Sequence, residues 1–179
     1  MIYDCDYLDL DIHNFFHDKS GLSVIDLGCG NGSQAYFLEG MGFDVTGTDI
    51  ECKLEYFITN FIIDDALNSK LNKQYDVIID RGLIHNLIYD QRCDNYFDMI
   101  DRISHDNTTI LLKVLSPYEI RCNPHFDDPE GPYRFEEDEM ITLYKELGYE
   151  CSMCRDTYYY GDGDPDLRAY FTVHRRTHA

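Results

Sequence analysis

The chain has 179 residues, enough for one domain with a sizeable buried core, and 44% are apolar, too many for a disordered polymer. Its formal net charge of −19, from 34 acids against 15 Lys plus Arg, repels phosphate backbones and anionic lipid. Nucleic acid and membrane surfaces are therefore excluded as expected partners.

No apolar run reaches the ~20 residues of a membrane span. The opening Met1-Ile2-Tyr3-Asp4-Cys5-Asp6 has neither the basic flank nor the apolar core of a secretion signal. Seven cysteines without such a signal predict reduced thiols in a cytoplasmic compartment. Residues 1–179 read as a single domain, with 1–21 a short N-terminal helical segment.

In chain order, Leu8, Ile12, Phe15 and Phe16 fall at helical spacing, which predicts a leading helix over residues 6–17. Ser20-Gly21 breaks it, and Leu22 to Leu27 has the character of a buried strand. A glycine-rich loop follows, then a helix from about Ser33 to Glu39 stopped near Gly40 and Gly42. Phe43 to Thr48 forms the next strand, ending at Asp49. Phe61-Ile62-Ile63 and Asp76 to Ile79 are short apolar runs that end in acids. Asp90 to Ser104 places Tyr96, Phe97, Ile100 and Ile103 on one helical face, and Thr109 to Leu115 is the most apolar strand.

The 19 residues from Ser116 to Arg134 hold four of the five prolines, and a loop this long inside a compact domain is usually functional. Glu136 to Leu147 is a helix with acids in its first turn, ended by Gly148. Glu150 to Tyr160 and Arg168 to Arg175 are two strands around the turn chemistry of Gly161-Asp162-Gly163-Asp164-Pro165. Alternation of strand and helix predicts an α/β domain, its sheet mostly parallel with an antiparallel ending.

Chemistry concentrates after the first strand, in Asp26-Leu27-Gly28-Cys29-Gly30-Asn31-Gly32. Glycines let a ligand approach the backbone, and the N-terminus of the following helix offers N–H groups. Asp49, ending the next strand, is placed to take both hydroxyls of a ribose. A nucleoside-containing ligand at the carboxyl edge of the sheet follows from these features. The dinucleotide fingerprint requires a third glycine where Ser33 stands, and the Gly-Lys-Ser/Thr of a phosphate-cradling loop is absent. NAD is therefore a poor match and ATP a worse one.

This loop resembles the first motif of the class I S-adenosylmethionine-dependent methyltransferases. Asp80-Arg81-Gly82-Leu83-Ile84-His85-Asn86-Leu87 resembles the D-R-G-x-x-H-x-L fourth motif of small bacterial members near the thiopurine and tellurite-resistance enzymes, which mostly modify small molecules. Gly131-Pro132-Tyr133 echoes the thiopurine group. The likeness spans about residues 22–175.

It implies a Rossmann-like seven-stranded sheet of order 3-2-1-4-5-7-6 with helices on both faces and an antiparallel C-terminal hairpin. It also implies S-adenosylmethionine as cofactor, S-adenosylhomocysteine as product and a small-molecule acceptor. The cofactor contacts that it implies are Asp26, Gly28, Cys29, Gly30 and Gly32 around the loop, then Asp49 and Ile50. Asp64, Asp65 and Ala66 are implied by the adenine, and Asp80 by the transferable methyl. Sixteen positions separate Asp49 from Asp65, where the family fits a full helix and loop, so the helix there is expected to be short or missing.

Methyl transfer from a sulfonium is an in-line displacement in which alignment contributes ~7–11 kcal/mol. A base is needed only when the nucleophile carries a proton. His85, just past the strand end that faces the methyl, is the candidate base or positioning group, or else a packed histidine. Arg81 binds a substrate carboxylate or pairs with a nearby acid. Tyr118, His125, Phe126, Tyr133 and Arg134 on the long loop either roof the acceptor or anchor the loop. The acidic surface mildly favours neutral or cationic acceptors, and sulfur, nitrogen, oxygen and carbon nucleophiles all fit.

No metal site is expected. Cys151-x-x-Cys154 lacks a second pair and falls on a strand, where positions three apart point to opposite faces. His13-x-x-x-His17 and His174-x-x-x-His178 lack a third ligand, and Asp162-x-Asp164-x-Asp166 lacks the later residues of a calcium loop. Two other functions stay open: a non-catalytic cofactor-binding subunit of an assembly, and an NAD-dependent oxidoreductase.

Overall fold

The computed structural model describes residues 8–119, 132–159 and 167–177. His125, Phe126, His178 and the turn at 161–165 lie outside the described residues, as do residues 6 and 7 of the expected leading helix.

Seven strands form one sheet in the order β3-β2-β1-β4-β5-β7-β6. They are β1 (Ser23–Leu27), β2 (Asp44–Asp49), β3 (Asn60–Ile63), β4 (Tyr75–Arg81), β5 (Ser104–Leu115), β6 (Tyr149–Tyr158) and β7 (Arg168–Arg176). The first five run parallel, and β7 pairs antiparallel with both β5 and β6. The β1 run Val24-Ile25-Asp26-Leu27 is buried throughout, as a strand covered on both faces must be.

Each face carries its own core. On one, α1 (Leu10–Phe16) and α2 (Ser33–Gly40) set Ile12, Phe16, Ala35 and Leu38 against Val24, Val45, Val77 and Ile79. On the other, α3 (Ile84–Leu87), α4 (Cys93–Arg102) and α5 (Glu137–Glu146) set Ile84, Tyr96, Ile100, Met140 and Tyr144 against Ile25, Ile78 and Ile110. The alternation of these residues along each strand divides them between the faces. α5 starts at a capping box in which Glu136 and Glu139 bond reciprocally to the helix's first N–H groups.

No helix joins β2 to β3. Residues 50–59 cross irregularly, as the short spacing to Asp65 requires, leaving Ile50 and Ile63 each 64% exposed at the strand ends. The short helix α3 is absent from the elements expected from sequence, because four residues are too few to show a period.

One sequence argument is corrected. β6 carries a bulge between Cys151 and Met153, so Cys151 lies opposite His174 and Cys154 opposite Thr172. Partners two apart share a face, and so do the two cysteines, contrary to the expectation for a regular strand. Among the described residues no three His, Cys, Asp or Glu side chains group as a metal cluster, and no helix is long and apolar enough to cross a membrane.

Candidate active site at the carboxyl edge of the sheet

The parallel strands β1, β2 and β4 end side by side, and their last turns bring together the glycine loop, Asp49 and Asp80. The loop is tied to its neighbours. Cys29 N–H donates to Thr48 O at 2.8 Å, and Gly30 N–H donates to Asp49 Oδ2 at 2.9 Å. Asn31 O accepts from Glu55 and Tyr56 N–H, so the helix-less crossing after β2 braces the loop from outside. At Gly32, with φ +85°, a Cβ would stand 2.7 Å from Leu54 Cδ2 and 3.1 Å from Tyr56 O, so only glycine fits.

One donor at the start of α2 is engaged within the loop. Ser33 N–H bonds Asn31 Oδ1 at 3.1 Å, and the Ala35 amide, near the Asp26 carboxyl, lowers its pKa slightly.

Asp26 is 2% exposed, and its Oδ2 has no hydrogen-bond partner. Burial pushes its pKa up to about 7, the Arg81 guanidinium pulls it down, and the charges of Asp80 and Asp49 raise it further. Three carboxyls thus feel one another at this edge, an arrangement that favours a cationic ligand.

Asp49 retains acceptor capacity. Oδ2 takes the Gly30 amide, while Oδ1 has only a 3.5 Å approach from Glu51 N–H. Beyond β3, Asp64 Oδ1 accepts from Lys70 N–H, and Asp65 Oδ1 from Leu67 N–H, with Arg92 at 3.9 Å from Asp65. Ala66 packs on the α4 side of the core. The second acid therefore shapes its own turn, and the exposed Ile50 and Ile63 supply apolar surface beside it.

The Asp80 carboxylate is completely buried and accepts from Leu83 N–H at 2.8 Å, Ile84 N–H at 3.0 Å and Tyr96 Oη at 2.6 Å. Burial raises its pKa to about 6, opposed by these donors. Sequence reasoning placed Asp80 beside the cofactor; its side chain fixes the start of α3, and through it Leu83, which packs against Gly28. Its partner Tyr96 was predicted only as a core face, since nothing local marks a phenol that reaches a strand end sixteen residues away.

Arg81 takes the structural alternative. Its Nε donates to Asp9 Oδ2 at 3.1 Å, and its guanidinium lies 4.9 Å from the Tyr159 ring. Lys113, 1% exposed, donates to Asp9 at 2.7 Å and to Asp11 Oδ2 at 2.7 Å, while Thr157 Oγ1 also donates to Asp11 and Arg155 forms an ion pair with it. This buried cluster escaped the sequence reading because its members are up to 146 positions apart.

His85 is 6% exposed, with burial lowering its pKa to about 4. Tyr118 is exposed, its ring 5.3 Å from the Arg168 guanidinium. Tyr133 N–H bonds His85 O at 2.7 Å, and its hydroxyl bonds Glu139 Oε1 at 2.8 Å. Tyr133 therefore anchors the loop to α3 and α5. A groove of about 690 Å³ between α5 and β6, and one of about 540 Å³ beside α2, are lined by none of these residues.

Comparison with known proteins shows the same fold and the family. The ubiquinone biosynthesis O-methyltransferase of Rickettsia bellii is 26% identical over 92% of this chain and 80% of its own length. A methyltransferase structure from Methanosarcina mazei superposes with a TM-score of 0.73 at 14% identity, covering 95% of this chain and 98% of the other. The 1,6-didemethyltoxoflavin-N1-methyltransferase of Burkholderia thailandensis, solved with S-adenosylhomocysteine, gives 0.68 at 17% identity, covering 93% and 75%. A family model described as a methyltransferase domain matches residues 4–152, and the chain belongs to that family.

Proposed function

We propose that this methyltransferase takes its methyl group from S-adenosylmethionine and delivers it to a small-molecule acceptor. The observation that carries the cofactor is the meeting of Asp26, Asp49 and Asp80 behind and beside the glycine loop, with a buried unpartnered oxygen on Asp26. Such a site suits a ligand with a sulfonium and an ammonium and repels pyrophosphate. When bound, the cofactor supplies an activated methyl, leaving the protein mainly to align and to exclude water.

In this reading the loop Gly28-Cys29-Gly30 and Gly32, with Asp26, holds the amino-acid end, and Asp49 the sugar hydroxyls. Ile50, Asp64, Asp65 and Ala66 border the adenine. Asp80 holds α3 in place. The small-molecule acceptor is supported by the relatives, whose names describe an O-methylation in ubiquinone biosynthesis and the N1-methylation of 1,6-didemethyltoxoflavin. Within the likeness stated from sequence, the small bacterial type carrying D-R-G-x-x-H-x-L remains the finer assignment.

Calorimetric titration of the purified protein with S-adenosylhomocysteine tests the reading. Binding is expected, and Asp49→Ala weakens it at least about tenfold with the fold intact, the equivalent of a lost charge-assisted hydrogen bond. A folded sample that binds NAD and ignores S-adenosylhomocysteine reverses the conclusion.

A further inference from the structure

We propose that the open edge of β3 is a docking site for an extended, basic segment of a partner protein, which adds to the sheet as a further strand.

The sheet ends in β3 on one side and in β6 on the other. An open edge offers unpaired main-chain N–H and C=O groups, which soluble proteins blunt with charges, proline or bulges. β6 is blunted: it carries the bulge between Cys151 and Met153, and Glu150, Arg155 and Asp156 are exposed along it. β3 has none of these devices. It reads Asn60-Phe61-Ile62-Ile63 and pairs with β2 in unbroken register. Phe61 packs on the core beneath α1 and α2, so Ile62 faces the opposite side of the sheet, where it is 41% exposed. Residues 50–59 cross from β2 without a helix and leave Phe57 81% exposed.

The charges around this edge select the occupant. Glu39 accepts Thr59 N–H at 2.9 Å at the start of β3, and Asp64 accepts Lys70 N–H at 3.1 Å just past its end. Glu55 is exposed two positions before Phe57. Lys53 and Lys73 are taken by Glu51 and Asp44, and among the described residues none of Glu39, Glu55 and Asp64 forms an ion pair. A second copy of the chain would bring the same acids and a further net charge of −19. In antiparallel self-pairing centred on Ile62, Asp64 of each copy would lie opposite Asn60, one residue from the Thr59 amide that Glu39 holds. A segment with Lys or Arg alternating with apolar residues instead answers the acids and covers Ile62, while its main chain bonds to the open edge.

The test uses the full chain and a fluorescent Lys-Val-Lys-Val-Lys-Val-Lys peptide, followed by anisotropy. Binding is expected, and it weakens on raising salt from about 0.02 to about 0.2 M. Ile62→Thr, neutral and β-branched like the native residue, is expected to weaken it at least about fivefold. Lys-Pro-Lys-Pro-Lys-Pro-Lys carries the same charge but lacks N–H groups at alternate positions, and at least about tenfold weaker binding is expected. Amide exchange across residues 60–63 slows when the valine peptide is present. Phe57→Ser, in the exposed crossing, weakens binding in the same sense and replaces Ile62→Thr should that variant fail to fold. Absence of binding, equal affinity for the two peptides, or affinity unchanged by the substitution overturns the proposal. Sedimentation as a dimer that Ile62→Thr weakens also overturns it and assigns the edge to a second copy.

Discussion

Asp26 is an acid whose environment works against its charge. It is buried behind the glycine loop with one oxygen unpartnered, and its pKa rises to about 7. Folding therefore favours the protonated form, a contribution complete below about pH 4 and lost as the pH rises to about 7. Asn in its place has nearly the same shape and carries no charge. Asp26→Asn is expected to melt above the native chain at pH 8, by a margin that shrinks toward pH 5. A margin equal at both pH values would show that the carboxyl is already ionised. Buried His85 and His174 act in the opposite sense, since their pKa values fall to about 4. Their stabilisation is full above about pH 6.5 and is lost as the pH falls toward about 4. The same glycine loop was legible in sequence because motif and spacing are local; the protonation of its acid was not, because burial is a tertiary property.

At the scale of the element, α3 shows why a four-residue helix exists. It has no length to stabilise itself, so its first turn depends on Asp80 accepting two backbone N–H groups and on Tyr96 completing that carboxylate. Tyr96→Phe removes one donor to a buried charge, about 1.5–3 kcal/mol, and melting is expected to fall by roughly 5–10 °C in a chain of this size. A melting point within about 1 °C of the native value would show that water or another group replaces the phenol. The glycine loop makes a parallel case: Gly32→Ala meets Leu54 and the Tyr56 carbonyl at a positive φ. The expected loss is about 1–3 kcal/mol in a denaturant titration, and an unchanged midpoint would mean that the 50–59 crossing does not brace the loop. That crossing was read correctly as too short for a helix, whereas the β6 bulge was invisible because one extra residue leaves no mark in composition.

Across the whole molecule, Asp9 and Asp11 at the start of α1 are locked to Lys113 on β5 and to Thr157 and Arg155 on β6. Asp9 N–H also donates to Gln34 Oε1 at 2.7 Å, which ties the same point to α2. Lys113→Met would leave two buried carboxylates facing each other without their shared cation. A stability loss of about 3–5 kcal/mol is expected, with faster amide exchange in α1 than in β1. Equal protection in both elements would remove the cluster as the lock on the N-terminal segment. The net charge of −19 adds a global term, since like charges on a compact body repel and salt screens them. Raising salt from about 0.02 to about 0.2 M is expected to raise the melting temperature.

The sequence by itself determined the alternation of strand and helix, the glycine loop, the acid that ends β2 and the missing helix before β3. Each of these is written in neighbouring residues, where periodicity, turn chemistry and spacing act. Tertiary structure alone decided that Asp26 is buried with an unpartnered oxygen, that Asp80 serves α3, and that Arg81 pairs with Asp9. Those outcomes depend on burial and on partners tens of residues away, and neither is encoded in any short stretch of chain.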